Sequence, residues 1–469
     1  MSFSLEKTYD DAKFDDDGRP KRTGTLGTAS AHIITTVIGS GVLSLAWVTA
    51  QLGWIAGPVA LMAFSVITWF TSVLLADCYR SPDIITGRRN YTYMDAVRAN
   101  LGGMYVPLCG VAQYATLVGA TIGYTITGSI SMVAVKRSNC FHKHHTREGC
   151  HISYNGFIIL FGLIEVVLSQ IPNFHKLSVL SIIAAAMSFA YSSIGLGLSI
   201  AHVAGGARPT TSITGIPVGN GVTGTDKMFN TFSALGNAAF AYAFSLVLVE
   251  IQDTLKSSPP ENKVMKKAAF IGISISTMFY MLCGIMGYAA FGNDAPGNIL
   301  TGFGFFEPFW LIDVANICIM IHLVGAFQVL CQPVYAFVEE WSKKKWPESE
   351  FVTKEYLFDL PWAGISSFSI FRLVWRTAYV VFTVIVAMIF PNFNDVVGLV
   401  GAISFWPLTI FFPIEMYIAQ AKLRRFSFTW IWMQILSFAC LIISLLAAAG
   451  SINGLIKDLP TLKPFKSMS

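Results

Sequence analysis

Residues 31–47 read AHIITTVIGSGVLSLAW, an apolar run interrupted at its middle by Gly39-Ser40-Gly41. Roughly 20 such residues cross the hydrocarbon core of a bilayer as one helix. Glycine costs about 1 kcal/mol in a helix interior relative to alanine, so two glycines around a serine make unwinding cheap. Inside lipid, freed backbone groups are tolerated only where they line a cavity or a binding site. A break here frees carbonyls at the end of one half-helix and amides at the start of the next. The carbonyls attract a cation and the amides an anion. The competing reading is packing, because small residues let neighbouring helices approach closely.

A second interruption favours the break. Residues 234–250, ALGNAAFAYAFSLVLVE, carry Gly236-Asn237 and then small and aromatic residues alternating from Phe240 to Phe244. Matching discontinuities in two halves of five spans point to an inverted-repeat transporter site. An amino acid zwitterion, with both charges a few ångströms apart, suits such a pair of breaks.

The rest of the chain fits a membrane protein. It has 469 residues, 54% hydrophobic and 13% charged, where soluble domains carry about a quarter charged residues. Hydropathy predicts eleven spans, at 27–51, 54–79, 105–135, 155–172, 177–203, 228–252, 268–291, 309–340, 371–390, 394–418 and 429–455. The expected organisation is a disordered cytoplasmic tail over 1–26, a first five-helix repeat over 27–203 and an outer loop over 204–227. A second repeat over 228–418 and a last helix with a short outer tail over 419–469 complete it. Most of the 32 Lys and Arg residues fall in loops on the side of the amino terminus, which places that terminus in the cytoplasm and the carboxyl terminus outside. Cys140 and Cys150 share one outer loop, where an oxidising compartment lets them form a disulfide; two free thiols are the alternative. His142, His144, His145 and His151 lie in the same region and read as a solvated connector, with no metal site expected.

Ionisable residues at membrane depth cost at least about 2.5–3.5 kcal/mol, so each needs a reason. His32 precedes the first break by roughly two turns, and His322 lies at similar depth in the eighth span. A histidine titrating near 6.5 could carry a proton between an acidic exterior and a neutral cytosol; a neutral ring bonded to a helix backbone is the alternative. Glu250 is a candidate gate or proton-linked carboxylate, and Asp253 is expected to pair with Lys256. Asp77 is expected to pair with Arg80, and Glu339 and Glu340 with the lysines that follow them. In the third span Gln113, Thr121 and Tyr124 recur at near-helical steps and could share a cavity-facing side, or serve as packing contacts. Pro333, Pro407 and Pro413 are expected to kink the eighth and tenth spans. No phosphate-binding loop or nucleophile elbow occurs, so no enzyme or ATP-driven pump is expected.

The stretches ASAHIITTVIGSGVLSLAW (29–47), AQLGW (50–54), LLADCYRSPD (74–83), RNYTYMDAVR (89–98), LSQIPNFHKLSVLSIIAAAMSF (168–189) and FAYAFSLVLVEIQDT (240–254) resemble the plant amino acid permeases. These belong to the amino acid/auxin permease family of the amino acid–polyamine–cation superfamily. The resemblance implies an all-α fold like that of the bacterial leucine transporter, two inverted five-helix repeats plus one helix. It also implies proton-coupled import of free L-amino acids, mainly neutral, across the plasma membrane by alternating access. The proton is then the coupling ion, no cofactor is needed, and membrane lipid is the only other partner, without nucleic acid or an obligatory protein. Carried over by position, Ile38, Gly39, Ser40, Gly41 and Val42 form the unwound part of the first span, facing the carboxylate. Phe240, Ala241, Tyr242, Ala243 and Phe244 form that of the sixth. His32, His322 and Asp253 match family positions proposed for proton or transport roles. Proton-using relatives often carry a lysine inside the fifth helix; this chain has only Lys176, at its start. A sodium-coupled carrier or an amino-acid receptor without net transport are the alternative functions.

Overall fold

Thr25 and Thr28 cap each other at the start of helix α1, Leu26–Val37. The helix ends at Ile38, and a 3₁₀ turn over Ser40–Ser44 leads into α2, Leu45–Asp77. Within α2, Gly53 takes φ 87°, a conformation open to glycine and strained for other residues. The expected spans at 27–51 and 54–79 therefore join through a kink, braced where Trp54 donates to the carbonyl of Ser212. Helices α3 (Tyr93–Asn100), α4 (Tyr105–His144), α5 (Tyr154–Ser169) and α6 (Ser178–Ala204) complete the first half. The second half begins with α7, Gly224–Ala241, which unwinds at Tyr242–Phe244 and resumes through a 3₁₀ turn as α8, Leu248–Gln252. Then follow α9 (Glu261–Phe291), α10 (Phe309–Lys345), α11 (Ile370–Ile389) and α12 (Phe393–Ser404). Pro407 sits in a π-helical stretch, Phe405–Phe411, that joins α12 to α13, Phe412–Gln420; α14 spans Phe428–Asp458.

The computed structural model describes residues 14–144, 150, 152–171, 178–219, 221–303, 308–360 and 364–458. Among the described residues, nine helical stretches are long and apolar enough to cross a membrane, and α5 is a shorter apolar helix. The outer surface is apolar: Ile55, Val59, Met62, Val66 and Trp69 form an exposed stripe along α2 at helical spacing. The core lies between two groups of helices. One joins α1, α2, α7 and α9, the other α4, α5, α10 and α11, with α6 and α12 packed between them.

Residues 14–25 correct the expectation of a free tail; residues 1–13 lie outside the described residues. Asp15 and Asp17 bind Arg22, whose guanidinium continues to Asp253 at 2.8 Å. Asp16 binds Arg80 at 2.7 Å and Arg89 at 2.5 Å, and Glu261 at the start of α9 binds Arg80 at 2.8 Å. Composition reports three aspartates in a row, but not that buried arginines from other loops meet them.

Several expected pairs change partner for the same reason. Asp253 holds Arg22 and the Tyr79 hydroxyl rather than Lys256. Asp77 takes Lys266 and Asn262 rather than Arg80, and Glu339 takes Arg376 and Arg372 rather than lysines. Each carboxylate reaches the nearest cation on a packed neighbouring element.

Candidate binding site between the two breaks

The two interruptions lie against each other. A Cβ built on Gly41 would stand 2.9 Å from Ala241 Cα, so only glycine permits this approach. At the first break, Ile38 donates to Ile34 and Gly39 donates to Val37, which closes α1. The 3₁₀ turn then begins at Ser40 with no side-chain cap, leaving its first amides free of an intrahelical acceptor. The Ser40 side chain is buried at the break and faces the Tyr124 hydroxyl. At the second break, Ala243 donates to Phe240 and Phe244 to Tyr242 in tight turns.

Between the breaks is a cavity of about 110 Å³, walled by Gly39, Ser40 and Gly41, by Phe240 and Ala241, and by Tyr124. It adjoins a vestibule of about 300 Å³ on the amino-terminal face, bounded by His32, Thr35, Ala184, Ile251 and His322. Gly39, Tyr124 and Val247 belong to both spaces. Free amides and apolar walls, with two histidines in the adjoining vestibule, can hold a small zwitterion and a proton close together.

Seven of the residues singled out from sequence border this cavity: Gly39, Ser40, Gly41, Tyr124, Phe240, Ala241 and Ala243. Ile38, Val42, Tyr242 and Phe244 are buried behind them and pack in the core. The Thr121 hydroxyl lies instead 2.8 Å from that of Tyr379 on α11. Gln113 sits on the Tyr124 face of α4 but three turns away, beside Cys109. Thr116 and Ala120, which sequence reasoning passed over, supply the wall of α4. The four-residue steps from Thr116 to Ala120 and from Ala120 to Tyr124 were the available signal.

The proton candidates separate. His322 is buried, and its Nδ1 lies 2.8 Å from the Ala184 carbonyl on α6. A carbonyl only accepts, so Nδ1 carries the hydrogen and Nε2 is left as an acceptor. A Cβ built on Gly39 would stand 3.9 Å from that Nε2, which puts the free nitrogen at the first break. His32 is exposed on the vestibule wall, and its carbonyl accepts from Thr35 and Thr36. Glu250 accepts from the Tyr93 amide at 3.3 Å, at the first turn of α3. Asp253 belongs to the Arg22 clamp. Both are away from the cavity.

Glu165, also at membrane depth, accepts from Gln328 at 2.6 Å, and Asp313 accepts from Asn139. Cys140 and Cys150 are disulfide-bonded, 5.8 Å apart at Cα. His145, His151 and Lys176 lie outside the described residues. Tyr280 on α9 was not anticipated. Its hydroxyl contacts the Val37 carbonyl at the end of α1 and lies 3.1 Å from that of Ala241 at the end of α7.

Known proteins resemble this arrangement over nearly the whole chain. The family model described as transmembrane amino acid transporter protein matches residues 22–457. Amino acid permease 6 of Arabidopsis thaliana is 64% identical over 456 residues, covering 97% of this chain and 95% of the relative. Amino acid permease 1 of the same plant is 62% identical, covering 97% of this chain and 94% of the relative. Among solved structures, MhsT in complex with L-phenylalanine superposes with a TM-score of 0.52 at 11% identity, over 92% of this chain and all of that one. The inward-facing conformation of Mhp1 superposes with a TM-score of 0.53 at 13% identity, over 94% and 91% of the two chains. At such identities the superpositions speak for the fold alone.

Proposed function

This chain belongs to the transmembrane amino acid transporter family, whose members are transporters and not enzymes, and on that premise we propose that it is a proton-coupled amino acid symporter. It works by alternating access in the plasma membrane, with the amino terminus in the cytoplasm and the carboxyl terminus outside. Its specificity is broad and mainly for neutral amino acids. The observation that carries this reading is the cavity at the two touching breaks, which shares walls with a vestibule holding His32 and His322.

The substrate carboxylate meets the free amides at Ser40 and Gly41, where the start of a helical turn favours negative charge. The ammonium meets carbonyls at the ends of α1 and α7. Its side chain lies toward Phe240 and the apolar wall of α4. Backbone groups make the clamp, so it reads the α-amino acid unit shared by all substrates, and the apolar walls favour uncharged side chains. Protonation of His322 at Nε2 places a cation beside the first break, where it strengthens binding of the carboxylate. His32, in the open vestibule, passes that proton to the cytosol.

The test is inward current in voltage-clamped cells expressing the chain, with neutral, acidic and basic amino acids offered in turn. It is repeated at external pH about 5.5 and about 7.5, on either side of the ordinary histidine value, with sodium replaced. Current that survives sodium removal and grows in acid is the expected result. Current that vanishes without sodium identifies a sodium-coupled carrier. Bound amino acid with neither current nor tracer flux identifies a receptor.

A further inference from the structure

Helix α9 runs beside both halves of the broken first span, and its facing residues are small except at one level. A Cβ built on Gly272 would stand 2.6 Å from Ile33, before the break. Beyond the break, one built on Gly284 would stand 2.9 Å from Thr49 Oγ1, and one on Gly287 2.6 Å from Ala46. Ser276 is fully buried on the same face. Steps of about four residues join Gly272, Ser276, Tyr280, Gly284 and Gly287, so they share one side of the helix. Tyr280 alone is large, and it sits at the level where the first span has unwound. Its ring packs edge-on against Tyr242 at 5.4 Å, in the second break.

Its hydroxyl stands between the last carbonyls of α1 and α7. An O–H carries one proton and each carbonyl has two lone pairs, so neither oxygen is saturated by Tyr280. The side chain is fully buried and does not border the cavity.

We propose that Tyr280 is the positioning residue of the substrate site: its ring holds the two breaks apart from α9, and its hydroxyl aligns the Val37 and Ala241 carbonyls as a single acceptor pair for the substrate ammonium. This rests on the transport reading above and names what sets the geometry of its cation half. The ammonium is common to every α-amino acid, so the effect of Tyr280 is independent of the substrate side chain.

The experiment measures concentration-dependent uptake by the unaltered chain, Y280F and T277V, with surface protein quantified for each. Substrates are one neutral, one acidic and one basic amino acid. Thr277 lies one turn from Tyr280 and bonds Tyr242 and Ser65 without touching either carbonyl. Y280F is expected to raise KM about tenfold for all three substrates alike, with kcat within about twofold, the scale of one buried hydrogen bond. T277V is expected to leave KM within about twofold. An unchanged KM in Y280F overturns the proposal. So does a rise confined to one side-chain class, or an equal rise in T277V. A Y280F chain that fails to reach the surface while T277V succeeds assigns the hydroxyl to folding and overturns it too. If the unaltered chain moves no amino acid, the transport reading is what falls.

Discussion

At Gly41 a single hydrogen decides whether the two breaks can meet. Adding one methyl would place it 2.9 Å from the Ala241 backbone, which has no flexible end to yield. We expect Gly41→Ala to reach the cell surface and to lower amino acid uptake at least about tenfold, read as tracer flux per surface molecule. Wild-type flux in that variant would show that the breaks need not touch. The histidines give a second comparison. His322 presents a free Nε2 to the break, whereas His32 faces open solvent in the vestibule. His322→Gln is expected to abolish the acid stimulation of current, while His32→Gln keeps its direction and loses about half its amplitude or less. The reverse ranking would transfer the coupling role to His32. Sequence position put these histidines at equal depth; only the Ala184 carbonyl, from a helix folded alongside, distinguishes their chemistry.

At the scale of elements, the amino-terminal segment is a strap. Gly24 bonds through its main chain to Thr254 and Lys256, and Arg22 holds Asp253, so α1 is tied to α8 on one side of the vestibule. On its other side the vestibule is walled by α6 and α10. The Arg22 guanidinium also holds the Asp17 carboxyl well below the usual carboxylate range. A lowered folded value means the stabilisation is fully present above the unfolded value of about 3.9 and is lost as pH falls below it. The Asp17 carboxylate of the strap therefore stays charged between about pH 5 and pH 8. Arg22→Ala is expected to lower the Tm of the purified protein by about 2–4 °C at pH 7, and Asp253→Ala by a similar amount. The double variant should lose less than the sum, because the two residues share one network. Full additivity would mean that the pair is not coupled. These partners were illegible beforehand: Asp253 and Arg22 are far apart in the chain, and the nearby Lys256 was the obvious cation.

On the scale of the whole molecule, the two groups of helices and the vestibule between them make motion of one group against the other the simplest route to the alternating access proposed above. His32→Cys is expected to react with a membrane-impermeant thiol reagent from the cytoplasmic face, and to be slowed at least about twofold when external substrate and acid drive turnover. Equal reactivity under both conditions would argue for a fixed vestibule. The Cys140–Cys150 bridge closes a sequence separation of only 10 residues on the opposite face. Replacing both by serine is expected to cost about 2–3 kcal/mol of stability with little change in KM.

The sequence by itself determined that the chain crosses the membrane many times, that two spans are interrupted, and where. Long apolar runs have no stable place outside lipid, and glycine beside small residues lowers the cost of unwinding locally. Those are properties of neighbours in the chain. The tertiary structure alone decided which side chains face the cavity, so that Tyr124 borders it while Thr121 turns to Tyr379. It also decided that residues 14–25 are bound through Asp15, Asp16 and Asp17 to distant arginines, and that Tyr280 meets both breaks. A helical period gives a residue's direction around its own axis, but its partner is set by how whole helices pack. A hydrogen bond or ion pair between elements forms only after that packing has brought its two ends within about 3 Å.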